Sequence, residues 1–292
     1  GSTVKWDKQA KVLEIDHSTI SPTARATLPQ AMRASIMMIP GLLTRLGEAR
    51  LENEVKGCTL GAREIDPHVA VFKAFGADVE FEAKNIVFRN RRKVEGTRMW
   101  LEYASVTTTE NFIISALTAT GTSQIVNAAC EPHVQEMCTF LELMGARIRG
   151  KGTSMVSVDG GVELHGCDYT FVEDFHEVAT FLALAAITGG DISVRNSQPE
   201  NFMLIDRTFE KFGAHVEHKD GWSRLQAPAE LVVQPPDLRF LVARQRDAGL
   251  ERGLEALLHV GHVEQVLVED LAEQAELRRR REGLVVGEPV DG

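Results

Sequence analysis

The stretch Gly57-Cys58-Thr59-Leu60-Gly61 holds a thiol between two glycines, with Lys56 before it and Arg63 and Asp66 after it. A cysteine reacts through its thiolate, and neighbouring cations or a helix N-terminus favour that form. Glycines let a loop move and let its backbone approach a ligand closely. Arg63 and Asp66 fall at the start of the next expected helix, where free N–H groups and the positive end of the dipole suit an anion. The combination describes a reactive thiolate beside an anion site. The plainer alternative is a mobile surface loop with an incidental cysteine. The other cysteines, Cys130, Cys138 and Cys167, form no C-x-x-C pair and no zinc-type spacing with histidine, so they are expected to be small core residues.

The elements that must carry this loop follow from an internal repeat. Phe72-Lys73-Ala74-Phe75-Gly76-Ala77-Asp78-Val79 recurs as Leu141-Glu142-Leu143-Met144-Gly145-Ala146-Arg147-Ile148 and as Phe209-Glu210-Lys211-Phe212-Gly213-Ala214-His215-Val216, the glycines 69 and 68 residues apart. Each phrase predicts the end of an amphipathic helix, a left-handed glycine, and then a strand. A second element keeps step: Gly47, Gly121 and Gly190 each stand six residues before Asn53, Asn127 and Asn196. These segments are expected to be buried strands after helices at about 28–46, 110–120 and 177–188. Every unit therefore runs helix, strand, helix, strand, with further strands closing it. From Asn127 to Gly145 is 18 residues and from Asn196 to Gly213 is 17, whereas Asn53 to Gly76 is 23. The excess of about five in the first unit contains Cys58, and an insertion confined to one repeat marks a binding face.

Length and charge narrow the functional classes. A chain of 292 residues predicts two domains. Its formal charge of −10 argues against a nucleic-acid or anionic-membrane partner. Neither a membrane span nor a signal peptide is legible, so a cytoplasmic setting is expected.

The residues Gly57-Cys58-Thr59-Leu60-Gly61-Ala62-Arg63, with Asp66 and His68, resemble the catalytic loop of the UDP-N-acetylglucosamine enolpyruvyltransferases, a family within the EPSP synthase-like superfamily. Met32-Arg33-Ala34-Ser35, Ser105-Val106 with Thr109-Glu110-Asn111, Asn127-Ala128-Ala129 with Glu131-Pro132, and Arg195-Asn196 with Gln198-Pro199 agree. The resemblance runs from about Val4 to Pro236. It implies an α/β (α+β) fold, an inside-out barrel of βαβαββ units, with residues 1–171 as one domain, 172–238 as part of a second barrel and 239–292 as an unmatched Arg/Glu-rich helical tail. The implied reaction transfers the enolpyruvyl group of phosphoenolpyruvate to the 3-hydroxyl of UDP-N-acetylglucosamine, at the start of peptidoglycan synthesis and without a redox cofactor. Cys58 matches the family's proton donor and covalent nucleophile. Arg63 would face the phosphate and nucleotide, Asp66 would accept from the uracil ring, and Glu64, Ile65 and Pro67 complete that segment. Arg33 and Tyr103-Ala104-Ser105-Val106 align with the rest of the sugar-nucleotide site. Taken alone, Arg33 also reads as a surface arginine, Ser105 as a plain N-cap and Asp66 as a first-turn carboxylate. His68, His133, His165 and His176 have no partner spacing that singles out a base.

Departures from the family pattern set a further expectation. No Lys-Asn pair precedes Met32, Tyr103 stands where the family has lysine, and the match stops near Pro236. The tail from Arg239 holds eight Arg, no Lys and eleven Asp plus Glu. On this reading the chain is shortened at both ends and has little turnover by itself, or is a nucleotide-sugar-binding fragment without catalysis.

Overall fold

The computed structural model describes residues 2–18, 20, 21, 28, 33–52, 65–90 and 95–232. Two strands open the chain, β1 (Thr3–Asp7) and β2 (Val12–Asp16), paired antiparallel with Trp6 opposite Leu13 and Val4 opposite Ile15. That pairing collects the four apolar residues on one face, which is exposed.

The first repeat begins with a 3-10 turn, Arg33–Met38, that runs into α1 (Ile39–Leu46) and β3 (Glu48–Glu52). Pro40 sits in the first turn of α1, where its missing N–H costs no helical bond, so the helix proper starts later than the apolar run suggests. Next come α2 (Asp66–Ala74), β4 (Ala77–Phe81) and β5 (Asn85–Asn90). In the second repeat β6 (Arg98–Trp100) leads into α3 (Val106–Thr118), β7 (Gly121–Val126), α4 (Pro132–Leu143), β8 (Arg147–Arg149) and β9 (Met155–Gly160). The third has α5 (Phe175–Thr188), β10 (Asp191–Arg195), a 3-10 turn at Pro199–Phe202, α6 (Met203–Lys211), β11 (Val216–Lys219) and β12 (Trp222–Gln226).

Sheet order makes the repeat explicit. The three sheets run β3-β5-β4, β7-β9-β8 and β10-β12-β11, each with the last strand of the unit in the middle and antiparallel to both neighbours. The second unit adds β6 parallel to β7, with α3 as the crossover. Gly76, Gly145 and Gly213 all have φ between 73° and 103° and turn each helix into the following strand. At the second turn Gly145 N–H donates to Glu142 O at 2.9 Å and Ala146 N–H to Leu141 O at 2.9 Å, closing the helix end. Gly189 and not Gly190 takes the left-handed position after α5.

Apolar faces form two cores. In the first, Phe72 meets Phe88 edge-on at 5.3 Å and Phe75 meets Phe112 at 5.1 Å. Leu182, Phe202, Phe209 and Leu225 centre the second. The chain divides between Tyr169 and Thr170 into two compact units, one for each core. Residues from 233 onward, including the 239–292 tail, lie outside the described residues. No helix among the described residues is long and apolar enough to cross a membrane.

One charge in the first unit works against it. Burial, with the negative charge of Glu131 nearby, pushes the Glu110 carboxyl on α3 up to about 7. A carboxyl raised above its unfolded value of 4.5 stabilises the fold when protonated, and that contribution is lost as pH climbs from 4.5 through about 7. Glu110→Gln, which keeps the shape without the charge, should therefore raise the stability of the first unit at pH 8 by on the order of 1–3 kcal/mol and change it little at pH 4.5. Urea unfolding at the two pH values measures the difference.

The repeat glycines separate strain from crowding. A Cβ at Gly213 would meet nothing within 4 Å, whereas at Gly145 it would lie 3.3 Å from the His165 ring and 3.4 Å from Glu163 O. Gly213→Ala should cost its unit about 1–2 kcal/mol through the left-handed backbone alone. Gly145→Ala should cost its own unit about 1 kcal/mol more. Denaturant midpoints for the two units give both values.

Candidate functional site

Three segments of the first unit meet where α2 begins. Ile65 is the residue before α2, Asp66 opens it and Pro67 follows, with Asp66 exposed and Ile65 packed on the core. Pro67 suits this first turn because a helix start leaves its N–H groups unpaired in any case. Directly behind lies His68, which is buried. Burial of a polar ring needs partners, and three residues of α3 supply them. Asn111 Nδ2 of α3 lies 2.9 Å from His68 Nδ1, and the hydroxyls of Thr107 and Thr108 lie 3.3 and 3.4 Å from His68 Nε2. The same Asn111 Nδ2 donates to Ile36 O, 3.3 Å away, in the 3-10 turn that Arg33 opens. His68 thus locks the start of α2 to the first turns of α3 and, through Asn111, to the segment after Arg33.

The segment 103–106 is shaped by its own caps. Ser105 is extended and its Oγ accepts from Thr108 N–H, the usual service of an N-cap serine. Thr108 Oγ1 donates to Ser105 Oγ at 2.8 Å, and Thr109 Oγ1 donates to Ser105 O at 2.8 Å. Ser105 N–H closes back on Tyr103 O at 2.9 Å. Tyr103 and Ala104 are exposed, Ser105 is half-buried and Val106 packs against the core. Thr109 Oγ1 also accepts from Ala129 N–H at 3.0 Å, joining this segment to the loop before α4.

The structure therefore ties the start of α2, where Ile65, Asp66 and Pro67 lie, through His68 to the first turns of α3, which Ser105 caps and Val106 opens, with the 3-10 turn of Arg33 bonded to the same helix. Cys58, Arg63 and Glu64 lie outside the described residues. His68 is the residue that spacing along the chain set aside, and its partners stand 39 to 43 positions away. Asn111 also carries a cost: its Oδ1 is buried and has no hydrogen-bond partner among the described residues. Of the remaining cysteines, Cys138 is buried and its thiol is pushed up to about 11 by that burial. Cys167 is half-buried. Cys130 departs from the core placement expected of it: it is exposed, because it lies in the turn before α4 and not on the helix.

A second polar cluster has the residue types of a nucleophilic triad. His218 Nε2 lies 3.0 Å from Asp206 Oδ2, and His218 Nδ1 lies 2.7 Å from Ser223 Oγ. Ser223 is fully buried in β12 and its Oγ also accepts from Asn196 Nδ2 at 2.8 Å. A nucleophile must reach its substrate, so this arrangement clamps α6 to its sheet and performs no chemistry.

Known proteins resemble this chain in sequence and in fold. UDP-N-acetylglucosamine 1-carboxyvinyltransferase 1 of Staphylococcus aureus strain N315 is 32% identical over 271 residues, covering 93% of this chain and 63% of the relative. The protein of the same name from Halalkalibacterium halodurans is 33% identical over 242 residues, covering 83% and 54%. The chain thus spans under two thirds of the length of these relatives. Among solved structures, the enolpyruvyl transferase NikO from Streptomyces tendae is similar with a TM-score of 0.63 at 18% identity, over 78% of this chain and 55% of that one. An EPSP synthase from Acinetobacter baumannii gives 0.55 at 20% identity, over 77% and 52%. Their fold, mixed α+β, is the fold of this chain. The model of the family EPSP synthase (3-phosphoshikimate 1-carboxyvinyltransferase) matches residues 1–244, and with it the chain belongs to that family.

Proposed function

We propose that this chain carries the sugar-nucleotide half of an enolpyruvyl transfer site, acting on phosphoenolpyruvate and UDP-N-acetylglucosamine in the cytoplasm for peptidoglycan synthesis. The observation that carries the reading is the junction at His68, which ties the turn after the cysteine loop to the 103–106 segment and to the turn of Arg33. Relatives named for this transfer, at 32–33% identity, support it. On the same reading the repeat units close as an inside-out barrel.

The chemistry then divides among few groups. The sugar 3-hydroxyl gives up its proton to a base and adds to C2 of phosphoenolpyruvate as a proton is delivered to C3; loss of a proton from C3 and of inorganic phosphate from C2 of the tetrahedral intermediate then forms the enol ether. Cys58 serves as proton donor and forms the covalent adduct. Arg63 holds phosphate oxygens through its planar fork. Asp66, exposed at the first turn of α2, accepts from the uracil ring, flanked by Glu64, Ile65 and Pro67. Arg33 and the segment Tyr103, Ala104, Ser105 and Val106 complete the nucleotide side.

A second reading is favoured by Tyr103, which puts a neutral ring where the resembled family has lysine. It keeps binding of the nucleotide sugar without turnover. Mass spectrometry after incubation with phosphoenolpyruvate and UDP-N-acetylglucosamine separates the two. The enzyme reading predicts an adduct on Cys58, none on exposed Cys130, and loss of both adduct and phosphate release in Cys58→Ala. An unmodified Cys58 in a chain that binds the nucleotide sugar by calorimetry would leave only the binding reading. No binding at all would remove both.

A further inference from the structure

The hydrogen bonds at the α2–α3 junction have a direction that can be followed proton by proton. A carbonyl oxygen only accepts, so the Asn111 group facing Ile36 O at 3.3 Å is the amide nitrogen. The same nitrogen lies 2.9 Å from His68 Nδ1, which must accept and therefore carries no proton. A neutral imidazole with a bare Nδ1 holds its proton on Nε2. That proton faces Thr107 Oγ1 at 3.3 Å and Thr108 Oγ1 at 3.4 Å.

Thr108 is fully buried, so its hydroxyl proton cannot go to water. Its acceptor among the described residues is Ser105 Oγ, 2.8 Å away. Ser105 Oγ also accepts from Thr108 N–H at 3.4 Å. A hydroxyl has two lone pairs and one proton. Both lone pairs of Ser105 are occupied from below, and its proton remains for whatever meets it from the half-exposed side.

We infer that His68 is a positioning residue: through Thr108 it holds the Ser105 hydroxyl as a donor toward the ligand, so that this subsite takes an acceptor-only group such as a phosphate oxygen of a nucleotide sugar. The inference rests on the proposed sugar-nucleotide site. His68 itself touches no ligand. A hydroxyl left free to rotate would offer donor or acceptor alike, and the relay removes that choice before binding. It also explains why Asn111 tolerates a buried Oδ1 without a partner among the described residues: its nitrogen is needed to keep Nδ1 of His68 bare.

The test uses the full chain with UDP-N-acetylglucosamine as the probe, read by calorimetry. Ser105→Ala and His68→Phe should each weaken binding about tenfold, the worth of one hydrogen bond to a charged acceptor. The double variant should bind no worse than either single variant, since both remove the same donor. His68→Gln, whose amide keeps an N–H near the place of Nε2, should bind within about threefold of the parent. Losses that multiply in the double variant, or a folded His68→Gln that binds as poorly as His68→Phe, would overturn the inference. Nitrogen-detected NMR of the parent chain gives an independent reading that no unfolded variant can obscure. It should show His68 neutral with the proton on Nε2, and a charged ring or a proton on Nδ1 would contradict the relay. If the parent chain fails to bind the probe, the sugar-nucleotide reading falls and the ligand assignment of Ser105 with it, while the tautomer still decides the direction of the relay.

Discussion

The buried imidazole of His68 is the constraint around which the first unit is arranged. A polar ring removed from water must have its nitrogens paired, and each unpaired group costs about 1–3 kcal/mol. Pairing both nitrogens requires Asn111 and the threonines of α3 to stand at fixed distances, and Asn111 in turn needs the carbonyl of Ile36. Apolar contacts such as those of Phe72 and Phe88 would tolerate a small slide of one helix on another. Directional bonds in a low-dielectric interior do not. The start of α2, the cap of α3 and the 3-10 turn are therefore placed relative to one another by polar geometry on top of apolar packing. The second unit uses the same device at Asp206, His218, Ser223 and Asn196, where a histidine joins a helix to the middle strand of its sheet.

These polar clamps sit on a scaffold that repeats. Each unit turns from helix to strand at a left-handed glycine, and each places its last strand between the other two. Because the turn is short and its φ is positive, the helix end and the strand start are nearly rigidly coupled, so the helix starts are free to differ between units. The first repeat uses that freedom for the cysteine-bearing insertion and His68, the second repeat for the serine cap of α3 and for β6.

Much of the scaffold was legible because its causes are local. Gly76, Gly145 and Gly213 announce their turns through residues within four positions, and the strands after them follow. Ser105 was readable as an N-cap for the same reason, and the structure shows it accepting from Thr108 N–H. Helix starts were less legible: Pro40 delays α1, and the threonines behind Ser105 start α3 before the apolar run begins. His68 was not legible, since its partners lie about forty residues along the chain and only the packing of α2 on α3 brings them near. Cys130 misled for a related reason: cysteine favours the interior on average, and nothing in its neighbours marks the exposed turn it occupies. Cys58, Arg63 and Glu64, whose spacing carried the reading of the sequence, lie outside the described residues, so their support comes from the segments on either side.

The proposed site joins the starts of α2 and α3 into one nucleotide-sugar subsite. Hydrogen–deuterium exchange with and without UDP-N-acetylglucosamine tests it most directly. Protection is expected at 65–68 and 103–111 together, with the second core around Leu182 and Leu225 unchanged. Protection confined to the second unit, or of only one of the two segments, would contradict it.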